Sequence, residues 1–254
     1  MLDFIDAVRV LTLRGKDHEP LHKRYSGYFG SRYKLFTVEG TPKSTNGGDI
    51  GFGLWSIMKH DTADATALDI TRNHIEMVRE AHAEGHERVL FLEDDAYFQP
   101  LNAQKEERMR LWLEKNHEKW DIFFMGYCPW PVLCSFFITR DVVRVSHPVC
   151  AHAYLLNRKG MEKLLMHTED PRNREHHFDK IFNLVPRFRK YAVFPMISFQ
   201  DEGPALYTKA MDHLGASVRF TTVCRLLEWV SVFLPFMVLL ILLGVVYQTF
   251  FNKN

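Results

Sequence analysis

The stretch "VLFLEDDAYF", Val89–Phe98, runs four apolar residues into three consecutive carboxylates, Glu93, Asp94 and Asp95, before the chain turns apolar again. An apolar run this short, followed at once by charge, reads as a strand buried on both faces. In open α/β sheets ligands bind beyond the carboxyl ends of strands, so the place where the charges fall is a place for chemistry. Whether such a sheet exists depends on the elements around it.

Upstream, "ATALDITRNHIEMVREAHAEG" sets Leu68, Ile75, Val78 and Ala81 at near-helical spacing and stops at Gly85, which predicts a helix leading directly into the strand. Earlier, "FIDAVRVLTL" (Phe4–Leu13) reads as a first strand, Leu21–Tyr28 as a helix, and "YKLFTVEG" as a second strand ending at Gly40. The Gly-rich "TPKSTNGGDIGFG" then reads as a loop. Downstream, Lys105–Lys119 carries Met109, Trp112 and Leu113 at i, i+3, i+4, the stripe of a helix packed on a sheet. "WDIFFMGY" is another buried strand, "VCAHAYLLN" a strand, "RKGMEKLLM" a helix and "KYAVFPMISFQ" a closing strand. Strands alternating with helices predict a layered α/β fold with a mostly parallel sheet.

The 254 residues are 46% hydrophobic, enough for a sizeable core. With 32 basic against 31 acidic residues, the formal charge of +1 carries no electrostatic footprint of a nucleic-acid partner. Four cysteines, Cys128, Cys134, Cys150 and Cys224, form no CxxC pair, so neither a zinc knuckle nor a disulfide framework is indicated and reduced thiols are expected. Asp3, Asp6 and Arg9 interrupt the N-terminal apolar residues and deny them the core of a secretory signal. At the other end, the 22 residues Val230–Phe251 carry no charge. As a helix they span about 33 Å, enough for a hydrocarbon core of about 30 Å, with Trp229 and Tyr247 near the two interfaces. The expected organisation is a catalytic domain over residues 1–203, a connector over 204–228 and a C-terminal transmembrane anchor over 229–251. Arg219 and Arg225 precede the span and only Lys253 follows it, which by the positive-inside tendency puts the domain in the cytosol.

Hard divalent cations, Mg²⁺ or Mn²⁺, prefer carboxylate oxygens and leave open positions for phosphate oxygens. In an extended segment Glu93 and Asp95, two apart, share one face and Asp94 takes the other. That arrangement suits a metal holding a diphosphate; turn and capping roles for the two Asp residues compete with it.

"NHIEMVREAHAEGHERVLFLEDDAYF" resembles the central block of glycosyltransferase family 25, the lipooligosaccharide-type and collagen galactosyltransferase family, in which a Ser-His pair opens a helix and a strand closes in Glu-Asp-Asp. "VLTLRGK", "FTVEGT", "WDIFFMGY", "AHAYLLNRKGMEKLL", "HHFDKIF" and "YAVFPMISFQ" resemble other blocks of that family in the same order, over approximately residues 4–203. The departures are Asn73 in place of Ser, Asp69 and Ile70 where a Gly-Cys pair is expected, and a stretch from Pro42 to Ala67 unlike the family.

The resemblance implies a GT-A-like (Rossmann-like) fold and a metal-dependent inverting transferase moving a hexose from a UDP-sugar to a hydroxyl of a glycan or glycoconjugate. On that basis Thr12, Leu13 and Arg14 border the nucleoside, and Val38, Glu39 and Gly40 cradle uracil and ribose. Asn73, near a helix start, donates to ribose or phosphate or caps the helix; His74 is either a ligand-contacting or a packed histidine. Glu93 and Asp95 hold Mn²⁺ or Mg²⁺, while Asp94 orients the loop or meets the sugar hydroxyls. Asp179 in "HHFDKIF" is the candidate base on the acceptor hydroxyl, and Gln200 and Asp201 end the last strand near the pocket. The competing class is an inactive membrane-attached scaffold or glycan-binding protein that keeps the fold.

Overall fold

The computed structural model describes residues 2–13, 18–38, 65–128, 135–200 and 220–251. In chain order the first half comprises β1 (Ala7–Leu13), α1 (His18–Phe29), β2 (Tyr33–Val38), α2 (Ala65–Ala83), β3 (Arg88–Glu93), β4 (Ala96–Phe98), α3 (Ala103–Lys115) and β5 (Ile122–Cys128). The second half comprises β6 (Phe136–Thr139), β7 (Val142–Arg144), β8 (Val149–Asn157), α4 (Arg158–His167), α5 (Phe178–Leu184), β9 (Lys190–Val193), β10 (Ser198–Gln200) and α6 (Phe220–Phe251).

Eight strands form one sheet in the order β2-β1-β3-β8-β5-β9-β7-β6. Its pairings leave only β7 and β8 running against the others, so the expected mostly parallel α/β sheet is present among the described residues. Side-chain alternation assigns each strand to two cores. Ala7, Leu11, Val89 and Phe91 pack with α2, α4 and α5, while Val8, Val10, Leu90 and Leu92 pack with α1 and α3. Each of these Val, Leu and Phe side chains, fully buried, contributes about 1.5–3 kcal/mol of transfer free energy.

Local chemistry sets several boundaries. Asn102 caps α3 by accepting from the Gln104 N–H at 2.8 Å, and Asn157 caps α4 by accepting from Gly160 N–H at 2.7 Å. The continuous strand expected over Arg88–Phe98 is instead broken by a turn at Asp94 and Asp95, two residues that favour turns. Beyond that turn, β4 leaves the main sheet and pairs antiparallel with β10. "KYAVFPMISFQ" likewise divides into β9 in the main sheet and β10 in the small ribbon. The β6–β7 hairpin is an element the periodicity did not reveal, since its strands are four and three residues long.

Helix α6 begins at Phe220, so residues 220–228, read as connector, are helical. Cys224, Glu228, Ser231 and Val232 are buried against the domain, whereas every described side chain from Phe233 to Val245 is exposed. The 22 residues Cys224–Val245 are long and apolar enough to cross a membrane. Cys150 is disulfide-bonded, against the expectation of reduced thiols, and Cys224 is free and buried.

The start of β5 is locked by Asp121, whose side chain is wholly buried. Its Oδ2 accepts from Lys163 Nζ at 2.7 Å and Arg189 N at 2.8 Å, and its Oδ1 from Arg189 Nη2 at 2.7 Å. Burial works to raise the carboxyl, but the bonds from Arg189 and Lys163 outweigh it and hold the group below its usual range. A depressed folded value adds stability above the unfolded pKa, about 3.9, that is lost as pH falls through the folded one. Asp121→Asn is therefore expected to destabilise the protein at neutral pH and to flatten its acid unfolding limb below about pH 4 in circular-dichroism titrations. Above Asp121, Gly160 lies so close that a Cβ would overlap the Asp121 carbonyl oxygen. Gly160→Ala should cost about 1–3 kcal/mol, read as a lower urea midpoint in detergent.

Candidate functional site

The turn after β3 splits the triplet between the two layers. Asp94, in phase with Leu90 and Leu92, points to the α1 side, where its Oδ2 accepts from Thr12 Oγ1 at 2.8 Å. Helix α1 holds the same turn through its backbone: Tyr25 Oη donates to the Glu93 and Ala96 carbonyls at 3.1 and 3.3 Å, and Arg24 Nη1 to the Asp94 carbonyl at 3.3 Å. Burial, with Asp94 adding to it and Arg24 opposing, pushes the Tyr25 phenol well above its usual range, so it stays a donor. Asp94 is thereby tied to the end of β1.

Glu93 and Asp95 face away from this layer and meet at Gln200. One nitrogen, Gln200 Nε2, donates to Glu93 Oε2 at 3.3 Å and to Asp95 Oδ2 at 3.2 Å. The two carboxylates share a side, as their spacing predicts, although a turn rather than a straight strand achieves it. Gln200 arrives through β10, where it lies opposite Ala96 of β4. Its Oε1 is buried with no hydrogen-bond partner among the described residues.

Behind Glu93 stands His74, 0% exposed, with Nε2 3.5 Å from Glu93 Oε1. Its Nδ1 is 3.0 Å from Tyr154 Oη, and its ring stacks on Phe178 at 4.3 Å and 6°. Burial and then Glu93 push the Tyr154 phenol far up, so this hydroxyl keeps its proton. His152 is also buried near Glu93; burial pulls its pKa down, against the carboxylate's opposite effect.

His74 is fully buried between Phe178, Tyr154 and the Glu93 carboxylate. Asn73 stands in the third turn of α2, not at its start, and spends its amide on the Asp69 carbonyl at 2.8 Å, so it caps nothing. Thr12 is buried and donates to Asp94. Leu13 and Val38 pair in register at the ends of β1 and β2. Arg14, Glu39, Gly40 and Asp201 lie outside the described residues. Asp179 is partly exposed in the first turn of α5, next to the Phe178 that stacks on His74, and its Oδ2 accepts from Cys150 N–H at 3.2 Å. Because β8 runs against β3, Cys150 lies at the same end of the sheet as Glu93. Tyr25, His152 and Tyr154 were not singled out in the sequence, where an aromatic or histidine in a strand carries no mark of what it faces.

The donor set has the chemistry of a hard-cation site: two carboxylates converge on one point, with a buried amide oxygen on the residue now between them. Among the described residues no three His, Cys, Asp or Glu side chains converge, so such an ion would rest on Glu93 and Asp95 and take further oxygens from a phosphate ligand. A hollow of about 680 Å³, lined by His22, Ser26, Tyr33, Lys34 and Thr37 among others, follows the open edge of β2 and is separate from these carboxylates.

The ribbon carrying Gln200 crosses β5 at Gly126, where a Cβ would overlap the Ser198 carbonyl and His152 Nε2. Ile197 N–H donates to the Met125 carbonyl at 2.9 Å beside it. Gly126→Ala is expected to displace β10 and, with it, Gln200: thermal stability falls and amide exchange rises at Ser198–Gln200 more than in β1.

No family model and no curated protein matches the chain. Among solved structures it is similar to a glycosyltransferase involved in the glycosylation of the major capsid of PBCV-1, at 10% identity and TM-score 0.39 over 83% of this chain and 100% of that one. It is also similar to mannose-1-phosphate geranyltransferase from Thermus thermophilus, at 12% identity and TM-score 0.39 over 77% and 76% of the two chains. A third is apo-UDP-glucose pyrophosphorylase, at 10% identity and TM-score 0.40 over 82% and 81%.

Proposed function

We propose that the chain is a metal-dependent inverting glycosyltransferase that moves a hexose from a UDP-sugar to a hydroxyl of a glycan or glycoconjugate, held at a membrane by α6. The observation that carries this reading is the convergence of Glu93 and Asp95 on Gln200 Nε2 at the carboxyl end of β3. Glu93 and Asp95 would hold Mn²⁺ or Mg²⁺, which when bound supplies charge stabilisation for the departing diphosphate. The similarity of "NHIEMVREAHAEGHERVLFLEDDAYF" to family 25 supports the choice of donor class.

The remaining roles belong to the chain's own groups. His74 and Tyr154 keep the Glu93 carboxylate aimed at Asp95, and Thr12 and Tyr25 keep the turn in place. Asp179 takes the proton of the acceptor hydroxyl as that oxygen bonds to the anomeric carbon and the carbon–diphosphate bond breaks on the opposite face. Enclosure of both substrates against the sheet end supplies orientation. As to compartment, Arg219 and Arg225 before the span favour the cytosolic side, whereas the Cys150 disulfide favours an oxidising one. Protease protection in sealed vesicles separates the two.

The test is full-length protein in nanodiscs, assayed for UDP release from a panel of UDP-hexoses with and without Mn²⁺. Release should require the metal and fall at least about 100-fold in Glu93→Gln and Asp95→Asn, with weaker Mn²⁺ binding by electron paramagnetic resonance. Asp179→Asn should lose turnover with Mn²⁺ binding intact. Turnover unchanged by chelator, or by Asp95→Asn, would overturn the mechanism.

A further inference from the structure

All four side chains of the edge strand β6 are exposed, including Phe136 at 53%, Phe137 at 45% and Ile138 at 46%. Soluble proteins avoid such edges, because unpaired backbone beside apolar side chains invites association. This edge is continuous with α6. The Phe137 ring meets Phe194 edge-on at 4.9 Å and Phe233 at 6.2 Å, while Trp229 stacks on Phe233 at 5.3 Å and meets Phe194 at 4.8 Å. One aromatic surface therefore joins the strand to the helix where the helix side chains turn wholly outward. Arg140, in the β6–β7 turn, and Arg144, opposite Phe136, are exposed at its border. The neighbouring acid, Asp141, is engaged by Arg108 Nε at 2.5 Å and Nη2 at 3.2 Å, so the rim is positive.

We propose that β6 is a second membrane contact. Phe136, Phe137 and Ile138 enter the interfacial layer of the bilayer, and Arg140 and Arg144 meet the phosphates of anionic lipid, so that the domain is docked on the membrane as well as tethered to it. The proposal rests on α6 entering a bilayer, and its test reads the two separately. Full-length protein carrying benzoylphenylalanine in place of Ile138, Leu240 or Met166 is reconstituted into phosphatidylcholine vesicles with and without phosphatidylserine, then irradiated. Met166, exposed on α4, serves as the background position. Lipid adducts at 138 should approach those at 240 and exceed those at 166. They should fall several-fold when Arg140→Gln and Arg144→Gln are combined in phosphatidylserine vesicles. Adducts at 240 with only background at 138 overturn the docking and leave the anchor standing. Background at both positions overturns the anchor as well. A 138 adduct to a second copy of the chain, in place of lipid, makes the edge an oligomer contact and overturns the proposal.

Discussion

The missing side chain at Gly126 is the constraint on which the candidate site depends. Where β5 crosses beneath β10, the Ser198 carbonyl and the His152 ring occupy the space any Cβ would need. That approach lets a three-residue ribbon lie across the end of a buried sheet and present Gln200 to two carboxylates at once. On its far side the ribbon is gripped by α6: Glu228 Oε1 accepts from Met196 N–H at 2.7 Å, and the Arg225 guanidinium lies 5.0 Å from the Phe199 ring centre. The helix that leaves the domain and the residue that bridges the carboxylates are thus held by one short stretch of chain. Docking of β6 and α6 at a bilayer would fix this stretch from below.

The triplet itself divides by strand parity. Asp94 inherits the face of Leu90 and Leu92 and is spent on Thr12, while Glu93 inherits the face of Val89 and Phe91 and meets His74. A carboxylate beside buried rings is costly unless donors answer it. Here the donor that answers it is the Gln200 amide on a distant ribbon, while His74 from a helix and Tyr154 from an antiparallel strand pack behind it. Orientation of Glu93 is therefore a property of packing around it.

How much of this was legible in the sequence follows from the range of each interaction. The alternation of strands and helices was readable because each element announces itself within about ten residues by apolar spacing. The same-side placement of Glu93 and Asp95 was readable from their separation of two. Asn73 was misplaced by the resemblance, in which the Ser-His pair opens a helix, although the helical spacing already ran from Ala65, where α2 begins. His74 stayed open between a ligand-contacting and a packed role because a histidine's burial is not written in its neighbours, and β6 and β7 were too short to show a period.

By itself, then, the sequence determined a layered α/β chain with an acidic strand end and an apolar helix of membrane-spanning length, because each is encoded by residues close together. Only the tertiary structure decided that Gln200 bridges carboxylates 107 and 105 positions away, that Tyr154 meets a histidine 80 positions earlier, and that the β6 edge continues into α6. Such contacts depend on where the sheet ends and which side chains are missing at its crossings, and no local pattern records either.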